Sequence, residues 1–377
     1  MASFKKRGKT WQYTVSRYVD GKYKPIRKSG FKTQKEAKIA AAEVEDKLRK
    51  GMVTNPKEIL FSDYFESWLN TYKVDIGANT LARYRNTLAT IQGAFEGVYL
   101  QNISRRTYQE FLNNYAKNRS KRTVRKLNSH IRASVKDAID EGLIYSDFTR
   151  NAVFGGNEGK KSDDKFLNVE ESNLLLNELT KRINESPVYY LLILGLTSGM
   201  RFGEMVGLTR KDFNFLHNTI TINKTWGYTN KMHNGFGKTK NESSNRTIVM
   251  DKKTMKLFED WFSTTPDNIQ RLVFYSSLSK YKVISNGVAN KLLKRTIESI
   301  NENISDDEDK IKSISLHGLR HTHASLLLYQ GVSVYYVSKR LGHADIETTV
   351  NTYIHLVKEL EEKNHQITTD AFMKMYG

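Results

Sequence analysis

Ser315-Leu316-His317-Gly318-Leu319-Arg320-His321-Thr322-His323 is followed by an apolar helical stretch, then Leu341-Gly342-His343, then Tyr353-Ile354-His355. Apolar residues recur at helical spacing from Leu316 to Gln330, and Gly331 is a natural stop. His317 and Arg320 are three residues apart, so on a helix they point the same way. Ser333 reads as the N-cap of a second helix through Val334, Val337 and Leu341, closed by Gly342. Asp345 reads as the cap of a third helix that carries Tyr353 about two turns in. Each polar group thus sits at or near a helix end, and two short turns suffice to bring those ends together. The spacing predicts one site shared by His317, Arg320, His343 and Tyr353.

Such a set has a definite chemistry. A guanidinium is an always-charged fork that matches phosphate oxygens. An imidazole donates to an oxyanion or accepts a proton near neutral pH. A phenol is a weak nucleophile until a base and an anion clamp act on it. Together they suit phosphoryl transfer, where stabilising the transition-state charge dominates. Taken singly, each is an ordinary helix residue; the combination carries the argument.

The stretch resembles the tyrosine recombinase, or phage integrase, family, especially integrases of temperate phages and conjugative transposons of Gram-positive type. His317-Gly-Leu-Arg320 fits the family's His-x-x-Arg box, Leu341-Gly342-His343 its second histidine box, and Tyr353, ten residues on, its nucleophile. The resemblance implies an upstream arginine and a hairpin lysine. Arg201, in Thr197-Ser-Gly-Met-Arg201-Phe-Gly-Glu204, takes the place of the first, with Glu204 to orient it. Lys240, with Ser244 and Arg246, fits the register of the second, and Lys238 is the other candidate. The implied reaction is DNA strand exchange through a 3′-phosphotyrosine and a Holliday junction, without metal, nucleotide or other cofactor. In it Tyr353 attacks, Arg201 and Arg320 clamp the phosphate, His343 donates to it, His317 helps accept the phenolic proton, and Lys240 protonates the 5′ oxygen. His321, His323 and His355 read as structural or supporting. A zinc site from His317, His321 and His323 is possible on spacing, but no fourth ligand stands out.

Composition agrees. The 377 residues suggest two or three domains, and 38% hydrophobic content can bury real cores. The absence of Cys suits a cytosolic, here nucleoid-associated, protein, and no signal peptide or membrane-length apolar run is expected. A net charge of +19 is the electrostatic footprint of a polyanion binder. Residues 1–50 hold fifteen Lys/Arg against five Asp/Glu, about half of the excess.

The expected architecture is multidomain, mainly α with a small β component. Residues 1–55 read as a three-stranded sheet plus helix: Trp11 to Ser16 alternates, Asp20-Gly21 marks a turn, and Lys22, Lys24, Arg27 and Lys28 line the returning strands. This is similar to an arm-type DNA-binding module. Residues 59–150 read as four helices, with Ser62, Asn79/Thr80 and Ser104 at starts and a long amphipathic helix from Lys121 to Ile139. Its basic edge, including Arg83, Arg122 and Arg125, fits phosphate contacts in a core-binding domain. Gly51 to Glu58 and Asn151 to Asp164 read as linkers. Residues 165–377 read as an α+β catalytic domain, with strands at Asn218–Ile222 and Arg246–Met250 around a polar connection, an acidic loop at Asn301–Asp309, and a C-terminal tail.

The partners implied are double-stranded DNA core and arm sites, three further protomers in a tetramer, an excisionase and a host DNA-bending protein, with no membrane. Two rivals share parts of the pattern. A type IB topoisomerase-like enzyme would use the same chemistry as a monomer, and a non-catalytic DNA-binding regulator would keep the basic domains alone.

Overall fold

The computed structural model describes residues 2–19, 22–49, 58–158, 166–229, 232–306, 310–353 and 373. Several expectations lie outside them: the Asp20-Gly21 turn, nearly all of the first linker, residues 159–164 of the second, the end of the acidic loop, His355 and nearly all of the C-terminal tail. The chain divides into two compact units, residues 1–159 and 160–377.

The first unit begins with β1 (Ala2–Arg7) and β2 (Thr10–Val15), continues through the short ribbon β3 (Tyr18–Val19) and β4 (Lys22–Tyr23), and ends its strands with β5 (Ile26–Phe31). The main sheet is antiparallel in the order β1-β2-β5. The alternation of Trp11 to Ser16 is β2, and β1 is an additional strand whose Lys5-Lys6-Arg7 run hides the alternation of Ala2 and Phe4. Tyr13 and Val15 point to one face and are buried beneath α1 (Gln34–Arg49), which supplies Ala41, Val44 and Leu48. Among the described residues nothing in the hydrophobic cluster covers the opposite face. Register places Arg27 beside Thr14 and Lys5 beside Gln12, both on that face. Lys28 pairs with Tyr13 and so has the parity of the helix-covered side.

Four helices follow: α2 (Phe61–Tyr72), α3 (Ala78–Ala94), α4 (Arg105–Ala116) and α5 (Lys121–Asp140). Their core joins Phe61, Phe65 and Trp68 to Tyr108, Leu112, Ile131 and Val135. Ser104 and Ser120 cap α4 and α5 by accepting from Thr107 and Thr123 backbone N–H groups. The other two starts differ from expectation. Leu60, not Ser62, precedes α2, and Gly77 precedes α3; neither supplies a side-chain cap. Residues 151–158 are also not a free linker. Gln109 bonds Val153 through both its amide atoms (2.8 and 2.9 Å), and Asn157 pairs with Arg119 and Lys121.

The second unit is built around α7 (Pro187–Ser198), which is buried on nearly every side, as an all-apolar helix must be. Ser186 caps it and Pro187 begins it. Around it lie α6 (Val169–Lys181), with an Asn168–Glu171 capping box, and the four-residue α8 (Phe202–Met205). Strands β6 (Phe213–Asn214), β7 (Thr219–Ile222) and β10 (Arg246–Val249) form a sheet in the order β10-β7-β6. The connection between β7 and β10 is more than polar loop. It contains an aromatic hairpin, β8 (Thr225–Trp226) and β9 (Phe236–Gly237), with Trp226 stacked edge-on to Phe236 at 4.8 Å. Tyr228 meets Phe202 edge-on at 4.7 Å, which ties the hairpin to α8. Then come α9 (Lys252–Thr264), α10 (Asn286–Asn301), α11 (Leu316–Tyr329), α12 (Val334–Leu341) and α13 (Ile346–Thr352). Ser333 and Asp345 cap the last two as their positions predict, and Ser315 caps α11. No described helix is long and apolar enough to cross a membrane.

Candidate active site

The last turn of α12 organises the site. Helix-terminal carbonyls lack intrahelical partners and carry the negative end of the helix dipole. Three arginines from three separate segments fill them. Arg246 Nε donates to the carbonyl of Arg340 (2.6 Å), Arg320 Nη2 to that of Leu341 (2.8 Å), and Arg201 Nη2 to that of Gly342 (2.8 Å). Arg320 Nη1 also donates to the carbonyl of Gly199 (2.8 Å), which ends α7. Both glycines are in the left-handed region, at φ +67°, and a Cβ at Gly342 would lie 2.8 Å from Arg246 Nη1. The helix stop and the arginine cluster are therefore one device.

Glu204 is the carboxylate of this cluster. It is 2% exposed, and its two oxygens accept from Arg201 Nη1 (2.8 Å), Arg201 N (2.9 Å), Arg246 Nη2 (2.9 Å) and Arg246 Nη1 (3.3 Å). Burial alone would raise its pKa, but Arg246 and then Arg201 hold it below the ordinary carboxylate value. Ser244 Oγ accepts from Arg201 Nη1 (3.2 Å) and donates to Asn241 Oδ1. Arg246 was expected only as a register marker for the lysine; it is a full member of the cluster.

Counting donors separates the arginines by role. Among the described residues, Arg246 uses Nε, both Nη1 protons and one Nη2 proton. Arg320 uses one proton on each terminal nitrogen and keeps three N–H donors. Arg201 keeps two, and its side chain is 26% exposed. Burial, and then the neighbouring Arg201, push the pKa of Arg320 down to about 9. Three guanidiniums facing one carboxylate leave a net positive, partly desolvated pocket.

Tyr353 caps the C-terminal end of α13. Its ring is 2% exposed and packs with Ala324, Leu328, Val337 and Leu341. Its hydroxyl lies 2.9 Å from His321 Nδ1. Burial raises the phenol well above its ordinary value, and Arg320 opposes that rise. His317, expected at the phenol, does not make this bond; its ring meets the edge of His321 at 4.8 Å between centroids. Burial, Arg320 and Arg201 lower its pKa. Helical spacing puts His317 and His321 on one face, but nothing in the sequence says which faces Tyr353.

His343 follows Gly342 and pairs Nδ1 with Thr349 Oγ1 at 2.7 Å. Burial and three arginines, Arg320 first, lower it to about 4. His323 is structural, as expected. Its Nδ1 meets the carbonyl of Leu196 and its Nε2 accepts from Arg340 Nε, both at 2.9 Å, so neither nitrogen is open to a metal. Arg340 continues to the carbonyls of Val249 and Thr197 and so joins α12 to β10 and α7. Lys240 and Lys238 lie exposed after β9, and neither ammonium has a hydrogen-bond partner among the described residues. The segment is anchored close by, through Thr239 Oγ1 to Asn245 Oδ1 at 2.9 Å and through Asn241 to Ser244.

The helical bundle of the first unit carries its own anion-friendly surface. A groove of about 660 Å³ is lined by Arg83, Arg119, Arg122, Lys126, His130 and Tyr115 among others, with no carboxylate in its wall. His130 stacks on Tyr84 at 4.1 Å and meets Thr87 Oγ1 at 2.8 Å. Arg119 and Lys126 join the expected Arg83 and Arg122, whereas Arg125 points instead over Phe154. In the small sheet Lys24, Arg27 and Lys28 are exposed, as is Lys5; the side chain of Lys22 lies outside the described residues.

Comparison with known proteins agrees with this geometry. Residues 165–359 match the phage integrase family, residues 3–48 an arm DNA-binding domain, and residues 60–116 a phage integrase N-terminal SAM-like domain. The integrase of Staphylococcus phage L54a is 25% identical over 353 residues, covering 86% of this chain and 96% of that protein. Transposase A of transposon Tn554 from Staphylococcus aureus is 30% identical over 189 residues, 47% of this chain and 48% of that one. Among solved structures, the Tn1549 transposon integrase bound to a circular intermediate DNA superposes with a TM-score of 0.67 at 16% identity, covering 81% of this chain and 99% of that one. A lambda integrase dimer bound to a core site gives 0.58 at 13% identity, covering 90% and 91%. These two likenesses establish the shared fold.

Proposed function

This chain belongs to the phage integrase family and is a tyrosine site-specific recombinase, and we propose that it integrates and excises a mobile element by transient esterification of Tyr353 to DNA. The observation that carries the residue assignment is the convergence of Arg201, Arg246 and Arg320 on three successive carbonyls of α12, with Tyr353 packed against Leu341 of the same turn.

The scissile phosphate occupies the space in front of Arg201 and Arg320. Their spare N–H donors hold its non-bridging oxygens and stabilise the charge that builds in the transition state. Arg246 and Glu204 keep those forks in place. His343 turns Nε2 to the same phosphate while Thr349 fixes Nδ1. Tyr353 Oη gives its proton to a neighbouring imidazole and bonds to phosphorus, the bond to the 5′ oxygen breaks, and Lys240 gives that oxygen its proton. The freed 5′ hydroxyl of the partner duplex then attacks the phosphotyrosine and restores the tyrosine. Two such exchanges, through a Holliday junction, require four protomers on two sites.

Residues 1–55 bind arm sites through the sheet face opposite α1, with Lys5 and Arg27 toward the groove. Residues 59–150 hold the core site through the phosphates, Arg83, Arg119, Arg122 and Lys126 making sequence-blind contacts. An excisionase and a host DNA-bending protein bias the direction.

The test is a nicked suicide substrate carrying the element's core site, incubated with EDTA present. A covalent adduct that is absent in Tyr353→Phe, together with recombinant product from intact sites, is the expected result. An adduct without recombinant product points to a topoisomerase. No adduct on any cognate site removes the catalytic reading.

A further inference from the structure

The phenol that this reaction uses has a partner of its own, and it is not one of the residues assigned above. We infer that His321 is a catalytic residue, the base that takes the Tyr353 proton as the phenol attacks. The inference rests on the proposed role of Tyr353 and deepens it.

Three observations lead there. First, His321 Nδ1 lies 2.9 Å from Tyr353 Oη, within direct proton-transfer distance of the reacting atom. Second, the other imidazoles nearby are committed or displaced. His323 has both nitrogens engaged by the Leu196 carbonyl and Arg340, His343 has Nδ1 on Thr349, and His317 meets the ring of His321. Third, the phenol is buried against Ala324, Leu328, Val337 and Leu341, where a free phenolate is strongly disfavoured. Its proton must therefore leave as the oxygen bonds to phosphorus, and the acceptor must already be in contact.

The Tyr353 O–H bond breaks and its proton passes to His321 Nδ1. The Tyr353 Oη–phosphorus bond forms while the phosphorus–O5′ bond breaks, and Lys240 protonates O5′. His321 ends cationic beside Arg320, next to it in the chain and clamping the phosphate. It returns the proton to Oη when the incoming 5′ hydroxyl displaces the tyrosine. His317, edge-on to His321 one turn away, supports that ring, which itself meets the phenol ring edge-on at 62°.

The experiment measures single-turnover cleavage of two suicide substrates, one normal and one with sulfur in place of the scissile 5′ oxygen. Sulfur leaves without an acid, so the second substrate removes the need for Lys240 and isolates attack. His321→Ala, His321→Gln, His317→Gln, Lys240→Ala and Tyr353→Phe are compared with the full chain, after melting and core-site binding show that each is folded. The expected result is a loss of about 10²-fold or more in His321→Ala and His321→Gln on both substrates, with exogenous imidazole restoring part of the His321→Ala rate. Lys240→Ala recovers on the sulfur substrate, and His317→Gln gains nothing from imidazole. Cleavage by His321→Gln within threefold of the parent overturns the inference, as does a slow His321→Ala that imidazole leaves unchanged. An adduct that survives in Tyr353→Phe instead overturns the assignment of the nucleophile, so the two failures are told apart.

Discussion

Replacing Glu204 by Gln keeps the shape of the side chain and removes the one carboxylate of the arginine cluster. Glu204 accepts four hydrogen bonds, three at 2.8–2.9 Å and one at 3.3 Å, from groups that offer only donors. In Gln one oxygen becomes an NH₂ that faces those donors. At least one charge-assisted hydrogen bond is lost, worth about 1.5–3 kcal/mol, and the buried Arg246 and half-buried Arg201 lose their counter-charge. Removing one partner of a buried pair typically costs about 3–5 kcal/mol, so a loss of ~3–5 kcal/mol is expected in denaturant unfolding of residues 160–377. Because the pKa of Glu204 is held below its ordinary value, its contribution is fully present above the unfolded carboxylate value, near 4.5, and disappears as pH falls through the folded one. The parent should therefore lose stability below about pH 4.5 more steeply than the Gln variant. Cleavage of a suicide substrate should fall about 100-fold as Arg201 swings out of register, the rate equivalent of ~2.7 kcal/mol. A Gln variant within about 1 kcal/mol of the parent, or one that cleaves at the parent rate, would refute the view that this carboxylate sets the clamp.

Other expectations follow from particular contacts. Gly342→Ala places a methyl 2.8 Å from Arg246 Nη1 at a φ of +67°, so it should lower the melting temperature and weaken cleavage more than it weakens core-site binding. His323 is depressed to about 3, so the folded state resists the proton that the unfolded chain accepts below 6.5. Its contribution is full above 6.5 and by pH 5 has fallen by about 2 kcal/mol; His323→Gln should be less stable at pH 7 and show a flatter decline, read from unfolding midpoints across that range. Arg122→Ala and Lys126→Ala should each reduce the slope of log affinity against log salt by about one, with little change in sequence preference, measured by titrating core-site DNA at several ionic strengths.

The sequence carried most of the catalytic unit because its cues were local. Ser333 and Asp345 cap where a cap residue precedes an apolar period, and Gly331 and Gly342 stop helices where only glycine takes the backbone cheaply. Arg201, Glu204, His343 and Tyr353 were legible through motif spacing. Three things were not. β1 is disguised by three consecutive cations at its end. The aromatic hairpin depends on a Trp226–Phe236 contact across a loop that reads as polar. The His321–Tyr353 bond spans 32 residues and is decided by how α11 and α13 are rotated, which no periodicity reports. The same limit hid Arg246, whose partners belong to α8 and α12.

The termination of α12 has one more consequence. Three arginine forks hang from successive peptide oxygens of one short coil, and the next polypeptide segment ends at the phenol. A shift of that coil by a fraction of its pitch would detach all three forks and displace the nucleophile in the same movement. The clamp and the phenol are thus coupled through one helix end rather than placed independently. Whatever leans on α12 or α13 would therefore act on all of these contacts at once.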